Sequence, residues 1–300
     1  MDKPFLLHLL TPMPQASPFD VNMAYDAGYH AVIPYTNVAL ADVSNLTQDA
    51  IFSRGPKGVQ RTALFIGGRE IGMAADMLDA ARKAMVPPFQ VSIFADPSGA
   101  FTTAAALVAA VEQKLKKVHQ LGLAGREVVV LGGTGPVGAT AAVLASAAGA
   151  RVRIASHSSA ARAQMTSQVV NARYGTSTLA GDASSQDHVN QLLQEAEVIL
   201  ACAKAGVQVL SKAQLANAGK LLVAADINAV PPAGIEGVSM NDDGVPLQTA
   251  LGKAVGIGAL AVGNIKYQVM RALFDAMLQS EQPLYLDFRD AFECARKLAA

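Results

Sequence analysis

The sequence predicts an α/β protein built from a first α/β domain and a doubly wound nucleotide-type domain, with C-terminal helices returning to the first. Three observations carry this. Short apolar runs alternate with stretches that are apolar at helical spacing almost throughout, the pattern of strand and helix units around a parallel or mixed sheet. The segment REVVVLGGTGPVGATAAVLASAAGARVRIAS (126–156) reads as a strand, a glycine turn, a helix and a second strand. Hydrophobic residues make up 51% of the chain and charged residues only 16%, enough apolar surface for a large core and too much for disorder.

FLLHLL (5–10) reads as the first strand. Ser17-Pro18 then opens a helix, with serine as cap and proline in the first turn. HAVIPY (30–35), TALFIGG (62–68) and QVSIFAD (90–96) read as further strands, and REIGMAADMLDAARKAM (69–85) as an amphipathic helix. A long alanine-rich helix follows from Ser98 and ends in Lys114, Lys116 and Lys117, which suit the negative end of a helix dipole better than a nucleic-acid patch. The glycines of LGLAGR (121–126) mark the domain boundary. The expected domains are 1–122 with 266–300, carrying the substrate, and 123–265, carrying a nucleotide. In the second block, helices are expected over 158–174 and 187–197, and strands at VILACA (198–203) and KLLVAADIN (220–228). Helices close the chain over 258–279 and 286–298, and this last pair is expected to pack on the first domain.

Gly133-Thr134-Gly135-Pro136-Val137-Gly138 fits G-x-G-x-x-G. Alone such a hexapeptide is weak evidence, but here it follows a strand, opens a helix and precedes a second strand, the context of a Rossmann dinucleotide turn. The first glycine permits the tight turn, the second lets a pyrophosphate reach the backbone, and the third lets helix and strand pack closely. Free N–H groups at the helix start then face the anion. The second strand ends in Ser156-His157-Ser158. An NAD-selective site usually holds the ribose 2′-OH with an acidic residue there, yet the next one in the sequence is Asp182. With Arg162 one turn further on, the sequence permits NADP and does not exclude NAD. A solvated loop histidine is the competing reading of His157. On the far strands, Ala203 and the Asp226-Ile227-Asn228 end are expected on the nicotinamide side, although the latter is equally a turn before Pro231-Pro232.

Other chemistries lack their residues. Five scattered histidines and two cysteines 92 positions apart give neither zinc spacing nor a disulfide framework, and fit a reducing cytoplasm. No G-x-S-x-G elbow is present. The 24 basic and 24 acidic residues balance, which argues against bulk-charge binding to nucleic acid or membrane. No apolar run reaches the roughly 18 residues of a membrane span. Chemistry is therefore expected from the cofactor, as hydride transfer, with the substrate in the cleft between the domains. Candidates to line it are Asp20, whose alternative role is dipole compensation, Asp96, Ser98, which could simply cap its helix, Thr102 and Thr103. Lys266 comes just after the uncharged stretch VGIGALAVGN (255–264), and its alternative is a snorkelling surface lysine.

SPFDVNMAYDAG, IPYTNV, QDAIFSRGP, FADPSGAFTTAAALVA, GGTGPVG, VAADINAVPPAGI, GIGALAVGNIKYQ and the tail PLYLDFRDAF together resemble the bacterial NAD(P)-dependent methylene-tetrahydromethanopterin dehydrogenases, nearly end to end. The resemblance implies oxidation of a pterin-borne methylene group to the methenyl form, in the one-carbon metabolism of methylotrophs that oxidises formaldehyde. It also implies a homo-oligomer, an active-site lysine at Lys266 and a threonine pair at Thr102 and Thr103. The Ser-His-Ser segment is more similar to the branch using both NAD and NADP. Two alternatives stand beside it: a methylene-tetrahydrofolate or shikimate-type dehydrogenase, and a non-catalytic protein that senses NADP.

Overall fold

The computed structural model of the chain describes residues 3–300. In chain order the first half runs β1 (Leu6–Leu10), α1 (Pro18–Ala27), β2 (Ala31–Tyr35), α2 (Val43–Phe52), α3 (Pro56–Val59), β3 (Thr62–Ile66), α4 (Ile71–Lys83), β4 (Ser92–Ala95) and α5 (Ala100–His119). There follow β5 (Glu127–Leu131), α6 (Pro136–Ala147), β6 (Arg151–Ser156), α7 (Ala160–Tyr174), β7 (Leu179–Asp182), α8 (Gln186–Glu195) and β8 (Val198–Ala201). The remainder is α9 (Lys212–Ala216), β9 (Val223–Asp226), β10 (Asp243–Pro246), β11 (Val255–Ile257), α10 (Ala259–Gln279), β12 (Tyr285–Leu286) and α11 (Phe288–Ala299).

Two compact units result. One takes in the chain to Thr102 together with Tyr267–Cys294, the other Thr103–Lys266 with Ala295–Ala300. The division falls inside α5, α10 and α11 rather than at the glycines of 121–126. The reason is that α5 is tied to the second unit by its side chains. Lys114 pairs with Asp243 at 2.7 Å, Glu112 with Arg296 at 2.7 Å, and His119 meets the Leu222 carbonyl at 3.1 Å. Lys114 is therefore an ion-pair residue with little exposure, not part of a solvated dipole cluster.

The first unit holds a five-stranded parallel sheet in the order β12-β4-β3-β1-β2. β3 and β4 are buried at every position, as parallel strands covered on both faces must be. Phe274 of α10 packs against Phe65 and Phe94 with ring centroids 5.6 and 5.4 Å apart. With tryptophan absent from the chain, this cluster is the bulkiest part of that core. α1 begins as expected, with Ser17 Oγ accepting from the Asp20 amide.

The second unit holds a seven-stranded sheet, β10-β11-β9-β8-β5-β6-β7, parallel except for the β10–β11 pair. Strand order reverses about β5, with β6 and β7 on one side and β8 and β9 on the other. A doubly wound sheet binds its ligand at that switch point, outside the carboxyl ends of the strands.

Candidate dinucleotide site

The turn after β5 shows which glycine does what. Gly132 has φ of +73°, the left-handed region, and a Cβ built on it would lie 2.7 Å from the Ala203 backbone. This glycine, outside the hexapeptide, makes the tight turn that the sequence reading assigned to Gly133. Gly133 instead packs inward, where a Cβ would fall 2.8 Å from the Val130 carbonyl oxygen. A Cβ on Gly138 would come 2.6 Å from the Gly132 carbonyl oxygen, so helix and turn can meet only without a side chain there. At Gly135 the nearest atom would be at an ordinary 3.4 Å, which leaves the helix start open. Gly135 is the N-cap of α6 and Pro136 its first residue, so the amides of Val137 and Gly138 lead the helix without internal partners.

A cavity of about 630 Å³ opens beside this turn. Of the residues expected from sequence, Thr134, Gly135, His157, Arg162 and Ala203 line it. Gly133, Pro136, Val137, Gly138, Ser156 and Ser158 are not among the lining residues. Ser156 is buried; its Oγ accepts from the Ser158 amide at 3.3 Å and lies 3.0 Å from Ser158 Oγ, which shapes the bend that presents His157. The wall also takes in residues that sequence reasoning missed: Gly132, Ser184, Ser185, Gln186, Lys204 and Gln208. The Gly132-Gly133 doublet directly after a strand was a usable signal for the first. Ser185 is the N-cap of α8, two residues before the helix expected from 187. No carboxylate is among the lining residues, while Arg162, Lys204 and His157 are. That is the electrostatic character expected of a wall facing phosphates, and it lacks the acid that would repel a 2′-phosphate.

Asp226 and Asn228 do not reach this wall. Asp226 accepts from the Asn228 amide at 2.9 Å and the Ile235 amide at 3.0 Å. Asn228 accepts from the Gly206 and Val230 amides and donates to the Pro232 carbonyl at 2.7 Å. Together they brace the loops that follow β8 and β9. Burial pushes the Asp226 carboxyl above the usual range against the pull of these amides. Burial likewise pushes the Cys202 thiol well up, with the Asp226 charge adding to it.

In the first unit, the Asp96 carboxylate is fully buried and acts as the cap of α5. The Phe101 and Thr102 amides donate to one oxygen at 2.9 and 3.2 Å, and the Thr102 hydroxyl donates to the other at 2.6 Å. Ser98 is not the cap. It has φ of +54° and donates its hydroxyl to the Gly68 carbonyl at 2.7 Å. Asp20 is buried in the first turn of α1. Across the division, Thr103 is half-buried on α5 and Lys266 half-buried on α10. Among the described residues, no group of His, Cys, Asp and Glu is placed to hold a metal, and no helix is long and apolar enough to cross a membrane.

Comparison with known proteins follows the same lines. Residues 18–98 match the family described as methylene-tetrahydromethanopterin dehydrogenase, N-terminal. The chain is 48% identical over 294 residues to an NAD(P)-dependent methylenetetrahydromethanopterin dehydrogenase of Methylorubrum extorquens, covering 98% of both chains. It is 31% identical over 283 residues to the Bifunctional protein MdtA of the same organism, covering 94% of this chain and 95% of that one. Among solved structures, shikimate 5-dehydrogenase of Listeria monocytogenes, in complex with shikimate and NAD, superposes with a TM-score of 0.54 at 13% identity, covering 94% of each chain. That likeness shows the α/β fold alone.

Proposed function

Because the chain belongs to the family of NAD(P)-dependent methylenetetrahydromethanopterin dehydrogenases, we propose that it moves a hydride from methylene-tetrahydromethanopterin to NAD(P)+, leaving the methenyl pterin. The observation that carries this is the 48% identity, which spans 98% of both chains and therefore the nucleotide turn and the pterin-side segments alike. The geometry supports it independently. A glycine turn open at Gly135, a helix start with unpartnered amides and a basic cavity wall without carboxylates fit a dinucleotide.

The nicotinamide ring, when bound, supplies the hydride acceptor. What the chain must do is modest. The methylene carbon lies between two nitrogens, so loss of hydride leaves a cation spread over N–C–N and no proton has to leave. No general base is needed. Positioning is the main task, with reacting atoms about 3–3.5 Å apart. Asp20, Ser98, Thr102, Thr103 and Lys266 are assigned to the pterin. Asp96, with both oxygens engaged at the start of α5, serves by holding Thr102 in place. A lysine ammonium beside the developing cation would repel it, so Lys266 is given a hydrogen-bonding role on the pterin ring or its carbonyl.

The same reading takes the protein as a homo-oligomer of the cytoplasm, in keeping with two cysteines 92 positions apart in the sequence, and as an enzyme of methylotrophic one-carbon metabolism. Absorbance at 340 nm with methylene-tetrahydromethanopterin tests the activity. A signal with NADP, with or without one with NAD, is expected. Silence with that pterin but turnover of methylene-tetrahydrofolate would replace the substrate, and strict NAD use would overturn the cofactor assignment.

A further inference from the structure

The cavity wall holds a cation that neither the glycine turn nor the family resemblance assigns. Lys204 follows β8 in the loop pressed onto the phosphate turn, where the Ala203 backbone leaves no room for a Cβ on Gly132. β8 and β6 flank β5 on opposite sides. Lys204 and Arg162 therefore approach the cavity from opposite sides of the turn. In a doubly wound sheet the pyrophosphate lies over that turn, with the adenosine half toward β6 and the nicotinamide half toward β8. Arg162 thus falls at the ribose end, where a 2′-phosphate would sit, and Lys204 falls beside the pyrophosphate.

Two further facts favour a charge there. Pro136 opens α6 and has no N–H to offer, so the anion cradle has one donor fewer than the helix start would otherwise present. Among the described residues, no hydrogen bond or ion pair engages the Lys204 ammonium, and it stands exposed in a wall that contains no carboxylate. We propose that Lys204 neutralises the pyrophosphate shared by NAD and NADP, while Arg162 answers the 2′-phosphate that NADP alone carries. This rests on the dehydrogenase reading above and divides its cofactor site into a part common to both dinucleotides and a part selective for one.

Fluorescence titration of the full-length protein with NADH and NADPH tests it, since the chain has no tryptophan to interfere. K204A is expected to weaken both dinucleotides by the same factor, roughly tenfold, as loss of one charge-assisted contact would. K204R should restore most of the affinity, and adenosine 2′-monophosphate, which lacks the pyrophosphate, should bind K204A and the unaltered protein alike. R162A should weaken NADPH only. If K204A binds both dinucleotides as well as the unaltered protein does, or loses NADPH alone, the assignment of Lys204 is overturned while the dehydrogenase reading stands. If the unaltered protein binds neither dinucleotide, the dehydrogenase reading itself fails, and the assignment falls with it. Normal dinucleotide binding without pterin oxidation would remove the substrate and leave Lys204 in place.

Discussion

A single methyl group at Gly132 would collide with the backbone of Ala203, 2.7 Å away, and would have to be carried at a φ of +73°. Gly132→Ala is expected to cost about 1–3 kcal/mol of stability and to raise the dissociation constants of NAD and NADP together; unaltered titration curves for both would refute the close approach. The sequence marked the glycine turn but named the wrong member for its tightest bend, because a hexapeptide pattern does not say which strand lies across from it. Lys266 carries a different expectation. Lys266→Ala should lower turnover by about tenfold or more with cofactor affinity intact, the signature of lost substrate orientation. Stopped-flow turnover alongside nucleotide titration separates the two, and unchanged turnover would remove Lys266 from the site.

At the level of elements, α5 shows how a site residue can be recruited for construction. Both oxygens of Asp96 are taken up by the first turn of the helix, in a position with no exposure. Asp96→Ala strands the Phe101 and Thr102 amides and is expected to cost about 1–3 kcal/mol, lowering the melting midpoint by roughly 2–4 °C per kcal/mol. An unmoved midpoint would mean the cap is dispensable. Most elements were legible. The strands over 5–10, 30–35, 62–68 and 90–96 appear within a residue or two, and the helix expected over 69–85 spans Ile71–Lys83. Helix α2 (VSNLTQDAIF) was not placed, and three of the strands missed are short or broken by glycine and proline. β7 reads LAGD, β10 reads DGVP, and β12 has only Tyr285 and Leu286, paired onto β4. Such strands exist because a neighbouring strand offers a hydrogen-bonding edge, which no local pattern reports.

For the molecule as a whole, His8 links stability to pH. It sits on β1 with Nδ1 3.2 Å from the Tyr35 hydroxyl. Burial, and secondarily the Arg54 charge, hold its pKa below the ordinary 6.5. The unfolded chain therefore takes up a proton that the folded state resists. His8 contributes stability above about pH 6.5 that is lost as the pH falls through that value toward the lowered pKa. Melting midpoints of the unaltered protein should fall between about pH 7 and 5, and His8→Gln should flatten that fall. Parallel curves for the two proteins would exclude His8 as the source.

Consecutive residues sufficed to determine the alternation of strands and helices, the glycine turn between β5 and α6 and the absence of an acidic residue after β6, since each is a property of neighbours along the chain. Only the tertiary structure decided that Asp96, Asp226 and Asn228 serve as braces, that Gly132 rather than Gly133 makes the bend, and that Lys204 stands beside the glycine turn. Those roles depend on which atoms a parallel sheet brings together from strands far apart in sequence, and on whether a polar group's hydrogen bonds are already satisfied when a ligand arrives.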